Sequence, residues 1–350
     1  MKSIGILEKY KQFLKLPSHT VPITLGEGNT PLIPIPSIAK ELGGDFDLYV
    51  KYEGLNPTGS FKDRGMVAAI SEALGRGVKT VICASTGNTA ASAAAYASRA
   101  GMKSIVIIPE GKVARGKLVA SVVYGAKIIQ IKGSFDDALK LVVEITKKHP
   151  IALVNSINPY RLEGQKTGAF EIVDDLRKSP DWLCLPIGNA GNITAYAMGF
   201  EQYNSVKKSG VPKFLGVQAA GAAPLVFGKI VEKPETIATA IRIGNPARGK
   251  QALEVISKFG GKIMAVTDEE ILSAQKRLAL DGIWVEPASA AGLAGLIKEI
   301  KEEGLNVKGK KVVIVCTGNG LKDPDIIDMP EPVLIEPHLH MLEKSIGMQK

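Results

Sequence analysis

The sequence has little of three features that mark other classes of protein. Its three cysteines, Cys83, Cys184 and Cys316, are too few and too isolated for a disulfide framework, and they suit a reducing cytoplasm. Aromatic residues make up 5% of the chain, too few for a platform that stacks nucleic-acid bases. No run approaches about 18 consecutive apolar residues, so we expect no membrane span. The charged N-terminal segment lacks the apolar core of a secretory signal.

Motifs for nucleotide binding and for serine hydrolysis are missing as well. The glycine-containing segment at 186–200 is neither the G-x-G-x-x-G fingerprint of dinucleotide binding nor a Walker loop. His19 and His149 have no G-x-S-x-G partner, which argues against a catalytic serine triad. The net charge of +9 is spread over short basic patches flanked by acids. That pattern is typical of a solvated surface, and we expect no nucleic-acid partner.

Short β-rich runs alternate with helical stretches through most of the chain. This alternation predicts parallel sheets with helices on both faces. About nine strands would strain one open sheet, so we predict an α/β fold with two open, twisted, mostly parallel sheets. Residues 1–45 are mostly turn and loop chemistry, and the tail after 330 has a weak helical period that suits packing on another surface or subunit. The predicted strands are 47–52, 79–83, 104–108, 127–131, 151–154, 182–186, 213–218, 262–266 and 311–316.

The strongest local feature is NPTGSFKDRG at 56–65, which follows a strand and opens a helix. Thr58 and Ser60 are candidate N-caps, and Asp63 suits the positive end of the helix dipole. Lys62 does not suit that end, and the helix field should lower its pKa. A partly neutral lysine amine can attack a carbonyl group. The alternative is a surface lysine beside charged neighbours.

Three further segments place small polar residues or glycines at the end of a predicted strand: 84–97, 186–200 and 313–323. Free N–H groups at helix starts bind anions; the first segment suits a carboxylate and the second a single phosphate. For the first segment the alternative is an ordinary strand-to-helix turn, capped by Asn88 or Thr89. Because all four segments lie at strand ends, we predict that they meet in one pocket. His338 and His340 could share a strand face, but without other ligands we expect no metal.

In this order, NPTGSFKDRG, ASTGNTAAS, PIGNAGN and CTGNGLKD resemble the pyridoxal 5'-phosphate (PLP) dependent enzymes of the tryptophan-synthase β-like fold, or fold type II. The resemblance covers residues 22–325, nearly the whole chain. Further segments are similar to the threonine synthase family within that fold type: LGEGNTPL at 25–32, VNSINPYRLEGQKTGAFEI at 154–172, TAIRIGNP at 239–246 and EPASAAGLAGL at 286–296.

The resemblance implies roles for individual residues. Lys62 would carry PLP as an internal aldimine and then move protons, Asn88 would hydrogen-bond the ring hydroxyl, and Thr317 would face the pyridine nitrogen. Ala240 would lie against the ring. Backbone N–H groups of five residues would hold the cofactor phosphate: Gly188, Asn189, Ala190, Gly191 and Asn192. The substrate carboxylate would meet Ser85, Thr86 and Thr89, and the substrate phosphate would meet Asn155, Ser156 and Arg161, with Lys166 and Lys117 as weaker candidates.

The resemblance also implies an activity. A cytoplasmic, homodimeric lyase would convert O-phospho-L-homoserine and water to L-threonine and phosphate by aldimine formation, α-proton removal, γ-phosphate elimination and water addition at the β-carbon. The cofactor would lie in the cleft between a large domain, 1–55 plus 160–350, and a small closing domain, 56–159. The alternatives are a threonine or serine dehydratase, which needs no Arg161, and a catalytically silent PLP-binding or amino-acid-binding protein, which intact Lys62 argues against.

Overall fold

The computed structural model describes residues 5–110, 115–324 and 330–348. Nine of the strands in these ranges match the predicted ones, with each end within one residue of the prediction. The unpredicted one is β1, a short edge strand. The strands are β1 (Leu32–Pro34), β2 (Asp47–Tyr52), β3 (Thr80–Ala84), β4 (Lys103–Pro109), β5 (Lys127–Ile131), β6 (Ile151–Leu153), β7 (Trp182–Pro186), β8 (Lys213–Ala219), β9 (Gly261–Val266) and β10 (Lys311–Cys316).

Within the described ranges the strands form two sheets, which confirms the predicted α/β class. One has the order β1-β2-β10-β7-β8-β9, and the other has the order β5-β4-β3-β6. Every pairing is parallel except that of β1 with β2. All strands of the smaller sheet fall within the proposed small domain, although the boundaries at 56 and 159 stay a prediction.

Helices pack on the sheets. Two short helices, α1 and α2, lie within residues 1–45, where mostly turns and loops were predicted. No helix in the described part of the chain is long and apolar enough to cross a membrane. The tail contains α14, which buries no residue, and His338 and His340 lie at its start, so the predicted strand face is wrong. The helices are α1 (Ile6–Lys9), α2 (Pro36–Glu41), α3 (Lys62–Gly75), α4 (Asn88–Arg99), α5 (Arg115–Val123), α6 (Phe135–Lys148), α7 (Pro159–Gln165), α8 (Thr167–Leu176), α9 (Gly191–Lys207), α10 (Pro224–Phe227), α11 (Gly249–Phe259), α12 (Asp268–Leu280), α13 (Pro287–Lys301) and α14 (Leu339–Ser345).

Helices α3 and α7 cross at close range because glycines lie at the contact. A Cβ atom on Gly164 would come within 1.8 Å of the carbonyl oxygen of Arg64. A Cβ atom on Gly65 would come within 2.8 Å of the carbonyl oxygen of Arg161. Any side chain at Gly164 would force the helices apart. The crossing brings the start of α3, which carries Lys62, close to α7, which carries Arg161.

A buried ion-pair network holds α3 against α8 and the end of β2. The guanidinium of Arg64 donates to Glu53 and to Glu171, each at 2.6 Å, and to the hydroxyl of Thr30 at 3.0 Å. Lys51 lies 2.9 Å from the same Glu171 carboxylate. Burial alone would raise the pKa of Glu171, but Arg64 and Lys51 outweigh it and hold that pKa well below its usual range. The network is paired throughout, so its role is structural.

Replacing Arg64 with methionine should therefore destabilise the protein by about 3–5 kcal/mol, because one buried carboxylate loses its cation and the other keeps only Lys51. Urea denaturation at neutral pH measures this loss. The deficit should shrink as the pH falls below about 4, because the unfolded chain then binds a proton at Glu171 and the wild type loses the stability that the lowered pKa of Glu171 provides. Arg76→Met is the matched control: its partly exposed pair with Glu72 on the same helix should contribute less than about 1 kcal/mol. Equal losses from both variants would contradict a structural role for the buried network.

Candidate functional site

Three of the four predicted segments, at 56–65, 84–97 and 313–323, are joined by hydrogen bonds. Ser60 and Gly318 form an isolated antiparallel bridge, and the backbone N–H of Phe61 donates to the carbonyl of Thr317 at 2.9 Å. Asn88, at the start of α4, reaches Glu286 before α13. These contacts join the loops that follow β2, β3 and β10.

The turn before α3 is held by an acidic side chain rather than by the predicted caps. The Asp63 carboxylate accepts from the backbone N–H of Thr58 at 2.6 Å and from the hydroxyl of Ser92 at 2.6 Å. Phe61 is the residue before the helix and has no capping side chain, and the buried Ser60 hydroxyl has no partner among the described residues. The prediction that Thr58 and Ser60 cap the helix is therefore wrong.

Lys62 is the first residue of α3 and is half-buried. Its ammonium lies 4.4 Å from the ring centroid of Phe61. Burial and the positive charge of Arg161 lower its pKa to about 7, against a smaller opposing effect of Glu286. The predicted direction is right, but these causes differ from the predicted helix field. At neutral pH about half of this amine is free of its proton and able to act as a nucleophile.

Arg161 is 1% exposed and is not neutralised by any described carboxylate. Its Nη1 donates to the carbonyl of Val154 at 3.2 Å, whereas its Nε and Nη2 have no partner in the described structure. Burial lowers the pKa of this guanidinium to about 10. Two buried, unpaired donors on a cation are costly unless an anion meets them. The arrangement therefore suits a ligand phosphate or carboxylate.

The loop between β7 and α9 has the features of a phosphate cradle. Ala190 adopts a left-handed conformation at φ 62°, and α9 begins at the next residue. The side-chain nitrogen of Asn192 is buried without a described partner. A Cβ atom on Gly188 would lie 3.2 Å from the carbonyl oxygen of Ala240, so Ala240 closes over this loop. The side chain of Asn189 anchors the loop by accepting from the backbone of Ala247 at 3.3 Å.

The loop after β3 and the first turn of α4 carry three half-buried hydroxyl residues, Ser85, Thr86 and Thr89. Asn88, the first residue of α4, is buried, and its Nδ2 donates to both carboxylate oxygens of Glu286 at 3.0 and 2.9 Å. Glu286 was not predicted from the sequence. The only indication of it in the sequence is that an acidic residue directly precedes Pro287, where a helix begins.

Thr317, after β10, lies against a second unpredicted residue. Its hydroxyl is 2.9 Å from that of Ser289, which also accepts from the backbone N–H of Gly318 at 2.8 Å. Ser289 and Glu286 come from the first turn of α13, within the EPASAAGLAGL segment. One helix start thus supports both Asn88 and Thr317.

The remaining candidates differ in how free they are to bind. Asn155 exchanges two hydrogen bonds with the backbone of Ala84, at 3.0 and 2.9 Å, so its amide also secures the end of β3. Ser156 is half-buried, and its carbonyl accepts from Arg248 at 3.4 Å. Lys166 is paired with Glu163 at 2.5 Å. The side chain of Lys117 lies outside the described residues.

Comparisons with known proteins agree with this geometry. Residues 23–318 match the model of the family described as pyridoxal-phosphate dependent enzyme. The chain is 57% identical to the threonine synthase of Halalkalibacterium halodurans, over 92% of this chain and 90% of that one. It is 50% identical to the threonine synthase of Methanocaldococcus jannaschii, over 99% of this chain and 88% of that one. The solved structure of maize serine racemase has a TM-score of 0.72 at 24% identity, over 91% and 92% of the two chains, and shares the fold.

Proposed function

Because the chain belongs to the pyridoxal-phosphate dependent enzymes, and among them to the threonine synthase family, we propose that it converts O-phospho-L-homoserine and water to L-threonine and phosphate. It is a PLP-dependent lyase of threonine biosynthesis. The observation that carries the choice of substrate is Arg161, a fully buried guanidinium near Lys62 with two donors left unpaired in the described structure. A substrate that brings its own phosphate would pair them.

The described residues fit PLP. Lys62 offers an amine whose pKa is lowered to about 7. The unpaired side-chain nitrogen of Asn192 and the start of α9 suit the cofactor phosphate, which accepts hydrogen bonds only. Asn88 and Thr317 offer polar groups for the ring hydroxyl and the ring nitrogen. When bound, PLP supplies an electron sink that stabilises negative charge on the substrate carbons.

The chain's own residues divide the remaining work. Ser85, Thr86 and Thr89 orient the substrate carboxylate through hydroxyl and backbone donors. The Lys62 amine takes the α-proton and later returns a proton, which its low pKa allows near neutral pH. Arg161 pairs with the substrate phosphate and follows it as it leaves the γ-carbon; Asn155 and Ser156 complete that subsite. Closure of residues 56–159 over the pocket would exclude bulk water until the reacting carbons are ready.

A comparison of two substrates tests this proposal. We expect the purified enzyme, loaded with PLP, to release phosphate from O-phospho-L-homoserine and to form threonine in equal amounts. We expect much slower formation of 2-oxobutanoate from threonine, because that substrate has no phosphate to pair with Arg161. Rapid 2-oxobutanoate formation with phosphohomoserine left untouched would instead identify a dehydratase.

We also propose a cytoplasmic homodimer. Three buried, unpaired thiols, Cys83, Cys184 and Cys316, suit a reducing compartment. Leu334 and Leu339 in the tail are 96% and 72% exposed, which suits burial against a second copy of the chain. Light scattering of the purified protein measures the assembly state directly.

A further inference from the structure

Glu286 is buried beside the catalytic lysine, yet no cation among the described residues is in hydrogen-bond contact with it. It is 4% exposed, and in the described part of the chain its carboxylate accepts only from Nδ2 of Asn88, at 3.0 and 2.9 Å. Burial raises its pKa, and the charges of Lys322 and Lys62 only partly offset that effect. A buried carboxylate without an ion pair costs stability. Its presence therefore calls for a role other than stabilisation.

The surrounding backbone makes room for this carboxylate. A Cβ atom on Gly318 would come within 2.5 Å of Oε1 of Glu286, so only glycine leaves space for the acid. The backbone N–H of Glu286 donates to the carbonyl of Gly318 at 3.1 Å, which fixes the carboxylate beside the loop after β10. Two loops and the start of α13 thus hold one acidic group against Asn88.

The hydrogen bonds between Glu286 and Asn88 fix the orientation of the Asn88 side-chain amide. The two ends of an asparagine amide have nearly the same shape, so the amide can turn over unless a neighbour accepts or donates exclusively. Both carboxylate oxygens of Glu286 accept from Nδ2 of Asn88, so Oδ1 of Asn88 faces away from the acid. We propose that Glu286 is a positioning residue that fixes the amide of Asn88, so that Asn88 presents one defined edge to the ring hydroxyl of PLP. The inference rests on the proposed cofactor role of Asn88.

Glu286→Gln tests the role with little change of shape, because a glutamine can present either its oxygen or its nitrogen to Asn88. We expect the PLP-loaded variant to fold and to keep its cofactor through Lys62 and the loop after β7. We expect its cofactor absorption bands to change in relative intensity at fixed pH. We expect kcat to fall about tenfold with little change in KM, the size of loss seen when residues that orient metal ligands are replaced. An unchanged spectrum in Glu286→Gln would overturn the inference.

Two further variants complete the test. Glu299→Gln is the matched control: Glu299 is buried on the same helix, α13, but pairs with Lys262 at 2.6 Å, so the spectrum should stay unchanged. If Glu286 acts through Asn88, adding Glu286→Gln to Asn88→Ala should change kcat and the spectrum no further; additive effects would overturn the inference.

Should Glu286→Gln fail to fold, Glu286→Asp keeps the charge but loses the reach to Asn88, and an unchanged spectrum there would also contradict the proposal. The absorption spectrum of the bound cofactor can be recorded without turnover. If the wild-type enzyme proved inactive on phosphohomoserine, the proposed function would fail, but the spectral test of Glu286 would still stand.

Discussion

Lys62→Ala is expected to lower the turnover of O-phospho-L-homoserine at least about 10³-fold, because both the covalent anchor and the proton carrier are lost. Borohydride reduction of the wild-type holoenzyme should fix the cofactor on Lys62 alone, and the variant should retain no fixed cofactor. The low pKa of Lys62 adds a pH dependence. The rate at which apoprotein captures PLP should rise as the pH increases through about 7 and then level off, because the neutral amine attacks.

The exposed lysine Lys103 on β4 provides the control for Lys62, and Lys103→Ala should change neither the fixed label nor turnover. Capture of PLP that climbs only near the ordinary lysine pKa of about 10.4 would contradict the burial argument. Fixation of the cofactor on another lysine would contradict the assignment itself.

Arg161→Met is expected to lower kcat/KM for O-phospho-L-homoserine more than about 100-fold, equal to a loss of roughly 3 kcal/mol, because a buried phosphate loses its cation. The affinity for PLP should change little. The apoprotein should be no less stable than the wild type, because the substitution removes a buried cation with two unpaired donors. The midpoint for PLP capture should also move to higher pH, since Arg161 lowers the pKa of Lys62.

Arg64→Met is the comparison variant for this prediction, because it replaces an equally buried arginine that is paired with carboxylates. Both arginines are 1% exposed, but Arg64 is paired with Glu53 and Glu171 and Arg161 with no described carboxylate. Loss of stability without loss of phosphohomoserine selectivity in Arg161→Met would show that Arg161 is a structural residue. Equal loss of PLP binding and turnover would lead to the same conclusion.

The sequence predicted the strands well because apolar runs bounded by turns report local burial. It also predicted that the loops after β2, β3 and β10 meet, because parallel strands end at one edge. Convergence of the loop after β7 on the same pocket stays a prediction. The edge strand β1 was missed, since its three residues carry no pattern. The capping prediction failed because Asp63 reaches back to Thr58, a contact that depends on the turn's three-dimensional path.

Pairings between distant residues could not be predicted from the sequence. Glu286 lies 198 positions from Asn88, and Ser289 lies 28 positions from Thr317. Neither residue type marks a site by itself, and only the fold brings them together. Similarly, nothing in the sequence separates Arg64 from Arg161. The free guanidinium donors of Arg161 distinguish it from Arg64 once burial and partners are known.

Isotope transfer from labelled water tests the central claim most directly. In water enriched in ¹⁸O, the enzyme loaded with PLP should convert O-phospho-L-homoserine to threonine that carries one ¹⁸O in its hydroxyl group. The released phosphate should carry none, because the bond between carbon and oxygen breaks at the γ-carbon and water adds at the β-carbon. Labelled phosphate together with unlabelled homoserine would show hydrolysis at phosphorus and would contradict the account.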